Sequence, residues 1–451
     1  MNEQTTLRLV LTGDSMITRH AFIRQNDTTQ RLRALIRDAD VAFTNIESLP
    51  NDFRGDPAVE CGGTHMAAPS AVIDDLVAVG FDLFACATNH SLDYSIAGLL
   101  ATLEALEQRR VAFAGIGRTL TAARMPTYFE SAGGVVALLS CVSSFAKGHL
   151  AADQRPDMQG RPGINPLRVE TIYEVTREQR EHVREIADAL GVEQRRQELI
   201  HLGFAFPPDD PDIFPFLDQK FRMADAPAIR TSANEKDVAA ITTWVHEARA
   251  RADVVLLSLH MHDQGATKEE PPEFTPIFAR RMLDEGADMV VMHGPHLLRG
   301  MEMYRGKPIF YSLGNFVAQN DLVRTLPADS YERFRVDPDK TPSEVFSSRS
   351  KNGTAGFPAD KRYWQTVMPN CSIEEGKFAR LEIMPITLGH GQPVHRRGRP
   401  QLAEGEEARE ILTRFAALSA PFGTTMEVEH DRASVMIDAC SSTNVCGDTS
   451  T

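Results

Sequence analysis

Two short apolar runs that end on imidazoles constrain this chain more than any other feature. AspValValLeuLeuSerLeu at 253–259 leads into His260 and His262, and AspMetValValMet at 288–292 leads into His293 and His296. Apolar runs of this length without alternation are strands covered on both faces, as in a parallel sheet flanked by helices. Such strands usually stop on turn-forming residues, whereas these stop on histidine. In an open α/β sheet, ligands gather outside the carboxyl ends of the strands. His260, His262, His293 and His296 are therefore read together as a metal site, although any one alone reads as a hydrogen-bonded core histidine.

The chain before them repeats the same arrangement. LeuArgLeuValLeuThr at 7–12 closes on Gly13 and Asp14, and ValAlaPheThrAsn at 41–45 is followed by Glu47. A carboxylate at a strand end can meet a cation, though each alone also fits a turn or a helix cap. PheAspLeuPheAlaCysAla at 81–87 stops at ThrAsnHisSer. There Asn89 can offer its carbonyl to a metal, His90 can transfer a proton, and Asp93 can orient the imidazole. Helical stretches between these runs, and a further buried strand at 134–142, predict a layered α/β fold. GlyIleGlyArg at 115–118 lacks the rest of a dinucleotide fingerprint, so no nucleotide cofactor is expected.

A length of 451 residues fits one α/β body with insertions. The expected organisation is a single catalytic domain over 1–430, inserted segments at about 145–232 and 319–362, and a poorly ordered tail over 431–451. The Gly- and Pro-rich loop 51–68 offers His65 to a substrate. ArgProGlyIleAsnProLeuArg at 161–168 reads as a lid that could add Arg161, Asn165 or Arg168. Residues 170–198 read as charged helix, 378–386 as an exposed or edge strand, and 403–418 as a terminal helix.

A formal charge of −14 argues against a phosphate-backbone binder, which needs a cationic face, although a local basic pocket stays open. Six cysteines in so long a chain form no disulfide framework. Cys86 and Cys141 fall in apolar runs as small core residues, while Cys440 and Cys446 lie in a polar tail where they could pair, oxidise or do neither. No stretch reaches the apolar length of a membrane span, and the first residues show no basic signal-peptide region. The expectation is a cytoplasmic protein without membrane or nucleic-acid partners, its oligomeric state open.

Several motifs together carry a family resemblance. ThrGlyAsp at 12–14, AsnIleGlu at 45–47, ThrAsnHisSerLeuAsp at 88–93 and GlyIleAsnProLeuArg at 163–168 resemble the CapA-like, or poly-gamma-glutamate capsule synthesis, family. HisMetHis at 260–262, GlyAlaAspMetValValMetHisGlyProHis at 286–296 and IlePheTyrSerLeuGlyAsnPhe at 309–316 extend the match over roughly 7–318. This family is a branch of the calcineurin-like metallophosphoesterase superfamily. The resemblance implies a four-layer αββα core with one or two divalent transition ions (Mn, Zn, Fe, Co or Ni) at strand ends. It makes Asp14, Glu47, Asn89, His260, His293 and His296 metal ligands or near neighbours, and His90 a proton donor. The chain departs from the pattern in places. AspSerMet at 14–16 replaces an Asp-x-His, with His20 as a possible substitute ligand. HisMetHis stands for a His-Trp-Gly, and HisGlyProHis for a His-His-Pro-His.

The resemblance leaves two chemistries open, and peptide epimerisation is the expected one, with hydrolysis as the alternative. Two ions can clamp the charge of phosphoryl or acyl transfer, which makes a phosphoester or amide hydrolase. A metal can also stabilise the enolate formed when a peptide Cα loses its proton, and cytoplasmic members of this fold family epimerise lasso-peptide precursors. Inversion needs acid/base groups on opposite faces, and imidazole suits both places. His90 and His262 are the expected pair, on a ribosomally made peptide substrate. A non-catalytic binding protein is the third reading.

Overall fold

The computed structural model describes residues 6–22 and 26–437. Among these residues one sheet has ten strands and a second has six. Along one half of the first, Thr6–Met16, Val41–Ile46, Leu83–Ala85 and Ala112–Ala114 run parallel to one another. In the second, Gly134–Val142, Val254–His260, Met289–His293 and Lys307–Phe310 are likewise parallel. Parallel neighbours require crossovers of a dozen or more residues, and helices supply most of them.

Among the described residues, alternation along the strands sorts most apolar residues into three large cores. Leu9 and Leu11 of the first sheet share a core with Leu138, Leu256 and Val291 of the second, so the two sheets meet face to face. On the opposite face of the first sheet, Val10, Ala42 and Phe84 pack with Leu32 and Ile36 of the helix Asp27–Arg37. Leu76 of the helix Ala71–Val79 and Leu103 of the helix Ser95–Gln108 belong to the same cluster. Behind the second sheet, Leu139, Leu257 and Val290 meet Ile241 and Val245 of the helix Glu235–Arg249, and Phe278 and Met282 of the helix Phe274–Asp284. Asn234 starts the first of these two helices by accepting hydrogen bonds from the backbone N–H of Lys236 and Asp237.

Several local expectations change. The segment 145–232 carries its own four-stranded sheet, in the order Ile213–Phe216, Gln219–Met223, Val169–Val175, Ala228–Ala233. The first residues of the expected helix 170–198 are therefore a strand. ValGluThrIleTyrGluVal alternates with period two, and helix begins only after Thr176, which forms a capping box with Gln179. Lys377–Thr387 is not an edge, because Gln365–Glu374 and Ala433–Val435 pair with its two sides. A strand with one face on the core alternates wherever it sits in an antiparallel sheet. Gln365–Glu374 gave no signal of its own, since Pro369 argues against an interior strand. It is tolerated because Pro369 falls just past the last pair, Val10 with Asn370, on the side of Thr6–Met16. Ala433–Val435 forms a strand inside the expected tail. Cys440 and Cys446 lie outside the described residues.

Candidate metal centre

The parallel strands of both sheets end at one place. His260 and His293 are register partners in the second sheet, and Asp14 pairs with Asn45 on one side and Asn315 on the other in the first. Glu47 follows two residues after Asn45, and Asn89 follows Leu83–Ala85. Asp14, Asn45, Glu47, His260 and His293 are fully buried; Asn89, His90 and His296 nearly so.

Close backbone packing brings the ends together. A Cβ on Gly13 would lie 1.9 Å from the carbonyl oxygen of Gly314, so only glycine lets Thr6–Met16 approach that turn. At Gly294, φ is 109° and a Cβ would meet the Met261 carbonyl oxygen at 2.2 Å. This glycine stands where the resemblance expects a second histidine, and no side chain fits there. Its N–H donates instead to Asp14 Oδ2 at 3.1 Å. His296 is in the left-handed region at φ 62°, a conformation that a non-glycine residue holds only when its surroundings enforce it.

Hydrogen bonds aim these side chains inward. Asn45 Nδ2 donates to Asp14 Oδ1 at 2.8 Å. Asn315 Nδ2 donates to the carbonyl oxygens of His296 and Tyr363, which turns its Oδ1 to His296 Nδ1 at 3.0 Å. That contact assigns the ring proton to Nδ1 and leaves Nε2 facing Glu47 Oε1 at 3.6 Å. His90 Nδ1 lies 2.6 Å from Asp93 Oδ2, and Nε2 points towards Glu47 Oε1 at 3.9 Å. Asp93 is itself held by the N–H groups of Gly62 and Met66. His260 Nε2 stands 2.9 Å from Asn89 Oδ1, 3.3 Å from His262 Nε2 and 3.6 Å from Glu47 Oε1. The His262 backbone N–H donates to Ser144 Oγ, and that hydroxyl donates to Asp263.

The donor set suits a cation. Asp14 lies 3.5–3.8 Å from nitrogens of His260, His293 and His296. These gaps are too long for hydrogen bonds. They are close to the edges, roughly 3.4 Å, of a tetrahedral shell with metal–ligand bonds of about 2.1 Å. Glu47 Oε1 and Oε2, Asn45 Oδ1 and both His293 nitrogens are buried with no hydrogen-bond partner among the described residues. Each such atom costs about 1–3 kcal/mol unless something satisfies it. Atoms of Asp14, Glu47 and His260 lie within 4.8 Å of one another, as do atoms of Glu47, His262 and His296, so Glu47 is common to two groups. The structure thus puts His262 beside a ligand set as well as beside His260.

The electrostatics point the same way. Burial works against the charge of Asp14, but the close approach of His296, His293 and His260 outweighs it and holds its carboxyl well below the usual range. Burial, with the charges of Asp14 and Asp93, pushes Glu47 well up. Burial pushes His293 down to about 4, and burial with repulsion from His296 takes His262 to about 3. His260 is also driven well down, chiefly by burial. Neutral imidazoles with free lone pairs are the form that binds a metal.

Other expected residues make internal contacts. His20 is a surface residue paired with Asp75 at 2.5 Å, so it does not fill the place of the missing ligand. His65 Nε2 contacts the Ala58 carbonyl, and Arg161 Nε donates to that of Leu150. Asn165 donates to the Ser140 carbonyl, and Arg168 is held in a fork by Asp237. Sequence reading assigned no role to Asn45 or Asn315, although both fall in quoted motifs, and it missed Phe357. The Phe357 ring stacks on Tyr363 and meets the His296 ring at 5.3 Å between centroids.

Fold and site together define a mixed α/β protein with a buried carboxylate–histidine cluster at the meeting of two sheets, consistent with a metal-dependent enzyme. The chain belongs to the bacterial capsule synthesis protein (PGA_cap) family, whose model matches residues 8–320. It is 34% identical over 431 residues to y4sH, an uncharacterised protein of Sinorhizobium fredii, covering 93% of this chain and 91% of that one. It is also similar to the PGA biosynthesis protein CapA of Bacillus subtilis, at 23% identity over 72% of this chain and 69% of that one. The capsule biosynthesis protein CapA of Bacillus anthracis is 22% identical over 72% of this chain and 62% of its own length.

Proposed function

We propose that the protein is a metal-dependent hydrolase of the CapA-like family, acting on a phosphoester or an amide, and that its layers are the four-layer αββα sandwich of the metallophosphoesterases. The observation that carries the reading is Glu47, buried without a hydrogen bond and common to two groups of candidate ligands. Asp14, Glu47, Asn89, His260, His293 and His296 would hold one or two divalent ions. Bound there, the metal would polarise the scissile group and offset developing negative charge. His90, its Nδ1 proton held by Asp93, keeps Nε2 turned to the centre and delivers a proton to the leaving group. The single-domain organisation over 1–430 and a cytoplasmic location belong to the same proposal. Among the described residues no helix is long and apolar enough to cross a membrane.

A second reading is supported by His262. His90 and His262 approach from the ends of different sheets, and inversion at a peptide Cα needs acid/base groups on two sides. On this reading the substrate is a ribosomally made, lasso-type peptide. One experiment separates the two: metal-loaded protein is given candidate phosphoesters, amides and peptides in deuterated, heavy-oxygen water. Hydrolysis puts solvent oxygen in a cleaved product, whereas epimerisation puts deuterium at Cα of an intact chain. Neither label in any product, with metal bound, would sink both enzyme readings.

A further inference from the structure

The helix Pro342–Arg349 and the turn after it build one wall of a cavity of about 290 Å³. Phe346, Phe357, Pro358 and Trp364 give it an apolar lining, and Arg349 and Arg397 are its cations. Phe357 is also the residue whose ring meets His296, so the cavity adjoins the metal centre. From Arg349, contacts also run towards His90. Arg349 Nη1 donates to Thr64 Oγ1 at 3.2 Å, two residues beyond Gly62. Gly62 lies against Asn89 and His90, where a Cβ would be 2.5–2.6 Å from their side chains.

The two arginines differ. Arg397 is neutralised by Asp321 and covers the Trp364 ring at 4.9 Å. Arg349 meets Thr64 and the Phe334 ring, and among the described residues no carboxylate acts on its charge. Arg333 repels it as a like charge, and the Cys61 thiol works weakly the other way. In a chain of net charge −14, a guanidinium left without an acid at the rim of an apolar cavity is a charge that a ligand can complete.

We propose that this cavity is the substrate-recognition pocket of the metal centre: Arg349 receives an organic anion, a carboxylate or a phosphate ester, and Phe346, Phe357 and Trp364 receive the aromatic or large apolar group beside it. The size suits one such group, near the lower limit of small-molecule sites. This inference rests on the metal centre being the reactive site, and it names the substrate class that the centre handles.

The test uses binding and needs no turnover. Trp244 and Trp364 are the two tryptophans, so a Trp244→Phe protein reports on the cavity through Trp364 alone. Its emission is titrated with 3-phenylpropionate, phenyl phosphate and the neutral 3-phenylpropionamide. At least one anion should bind about tenfold or more tightly than the amide, the scale of a charge-assisted hydrogen bond. Whichever anion binds more tightly identifies the group. Arg349→Gln should abolish the preference and Arg349→Lys should restore part of it. Equal affinity for all three ligands, or an unchanged preference in Arg349→Gln, overturns the proposal. If Arg349→Gln does not fold, salt on the Trp244→Phe protein replaces it: anion binding that does not weaken with ionic strength overturns the proposal. Manganese loading then reads proximity, because ring protons of bound 3-phenylpropionate should broaden. Sharp lines with manganese bound separate the cavity from the centre and also overturn it. A protein that takes up no metal refutes the hydrolase reading, and with it this pocket's link to catalysis, while the anion titrations stand as measured.

Discussion

His260 and His293 are register partners, each the last residue of a strand in one parallel pair. Strand side chains alternate with period two, so partners in register point to the same face. Both rings are therefore turned between the sheets, towards Asp14 of the facing strand, and neither reaches solvent. That placement is why a buried polar cluster, and not a loop, carries the chemistry.

His293→Ala should lose metal. Both His293 nitrogens lack a hydrogen bond, so the ring's polar atoms contribute little to the metal-free fold, while its face packs on Phe43 at 5.7 Å. Elemental analysis of the purified variant should show the content falling by half or more. The metal-free variant should stay within about 3 kcal/mol of the parent in denaturant titration, since only a packing defect remains. Full metal content in the variant removes His293 from the centre.

His90→Asn should separate metal binding from proton transfer. His90 is turned by Asp93 and stands farther from Glu47 than His260 or His296 does. Turnover should fall by roughly 10²–10⁴, the usual range for a positioned acid or base, with metal content unchanged. Asp93→Asn should show a smaller loss, because it leaves the ring in place and changes only what holds it. An active His90 variant would mean that the proton comes from elsewhere.

Much of this centre was legible because it lies at strand ends. Asp14, Glu47, Asn89, His260, His293 and His296 each follow an apolar run, and chain order alone predicts that such ends converge. The AsnPhe end at 315–316 also reads as lying near the cluster, but nothing in the sequence gives Asn45 or Asn315 a role. An asparagine near a strand end is usually a turn residue, and only the pairing of Asp14 with both shows that they orient it. Phe357 was illegible for another reason, since it opens a three-residue 3-10 helix, Phe357–Ala359, whose position is set by tertiary packing. Arg168 misled in the opposite sense. It resembled a free cation on a lid, but its partner Asp237 lies 69 residues later, beyond the reach of any local pattern.

Metal-free protein should lose stability as pH falls from about 6.5 towards 4. The folded pKa values of His293, about 4, and His262, about 3, lie below the unfolded value near 6.5, and His260 shifts in the same direction. Between these values the unfolded chain binds more protons, so stability rises with pH. Glu47 opposes this, because its raised pKa favours the folded state at low pH. Three imidazoles against one carboxyl leave the imidazoles in control. Denaturant midpoints at pH 5 and 7 measure the slope, which His293→Gln should reduce by about one proton. A slope of opposite sign would falsify the picture of neutral buried rings.

Gly294→Ala tests whether the backbone between the two terminal histidines positions them. At φ 109° an added methyl is strained whatever the space, and here it would also press on the Met261 carbonyl oxygen at 2.2 Å. The turn must then move, and three contacts move with it: the Gly294 N–H to Asp14, His293 on one side, and His296 two residues on. Strain and overpacking together should destabilise the protein by about 2–4 kcal/mol. Metal affinity should fall more than in a surface variant of equal stability, because the ligands lose their common centre. A control such as Gly306→Ala, at φ 78° with open space around it, should be destabilised by no more than about 1–2 kcal/mol and keep its metal. If Gly294→Ala binds metal as tightly as that control, the turn only connects the two histidines, and their positions are set by the strand and by Asn315 instead.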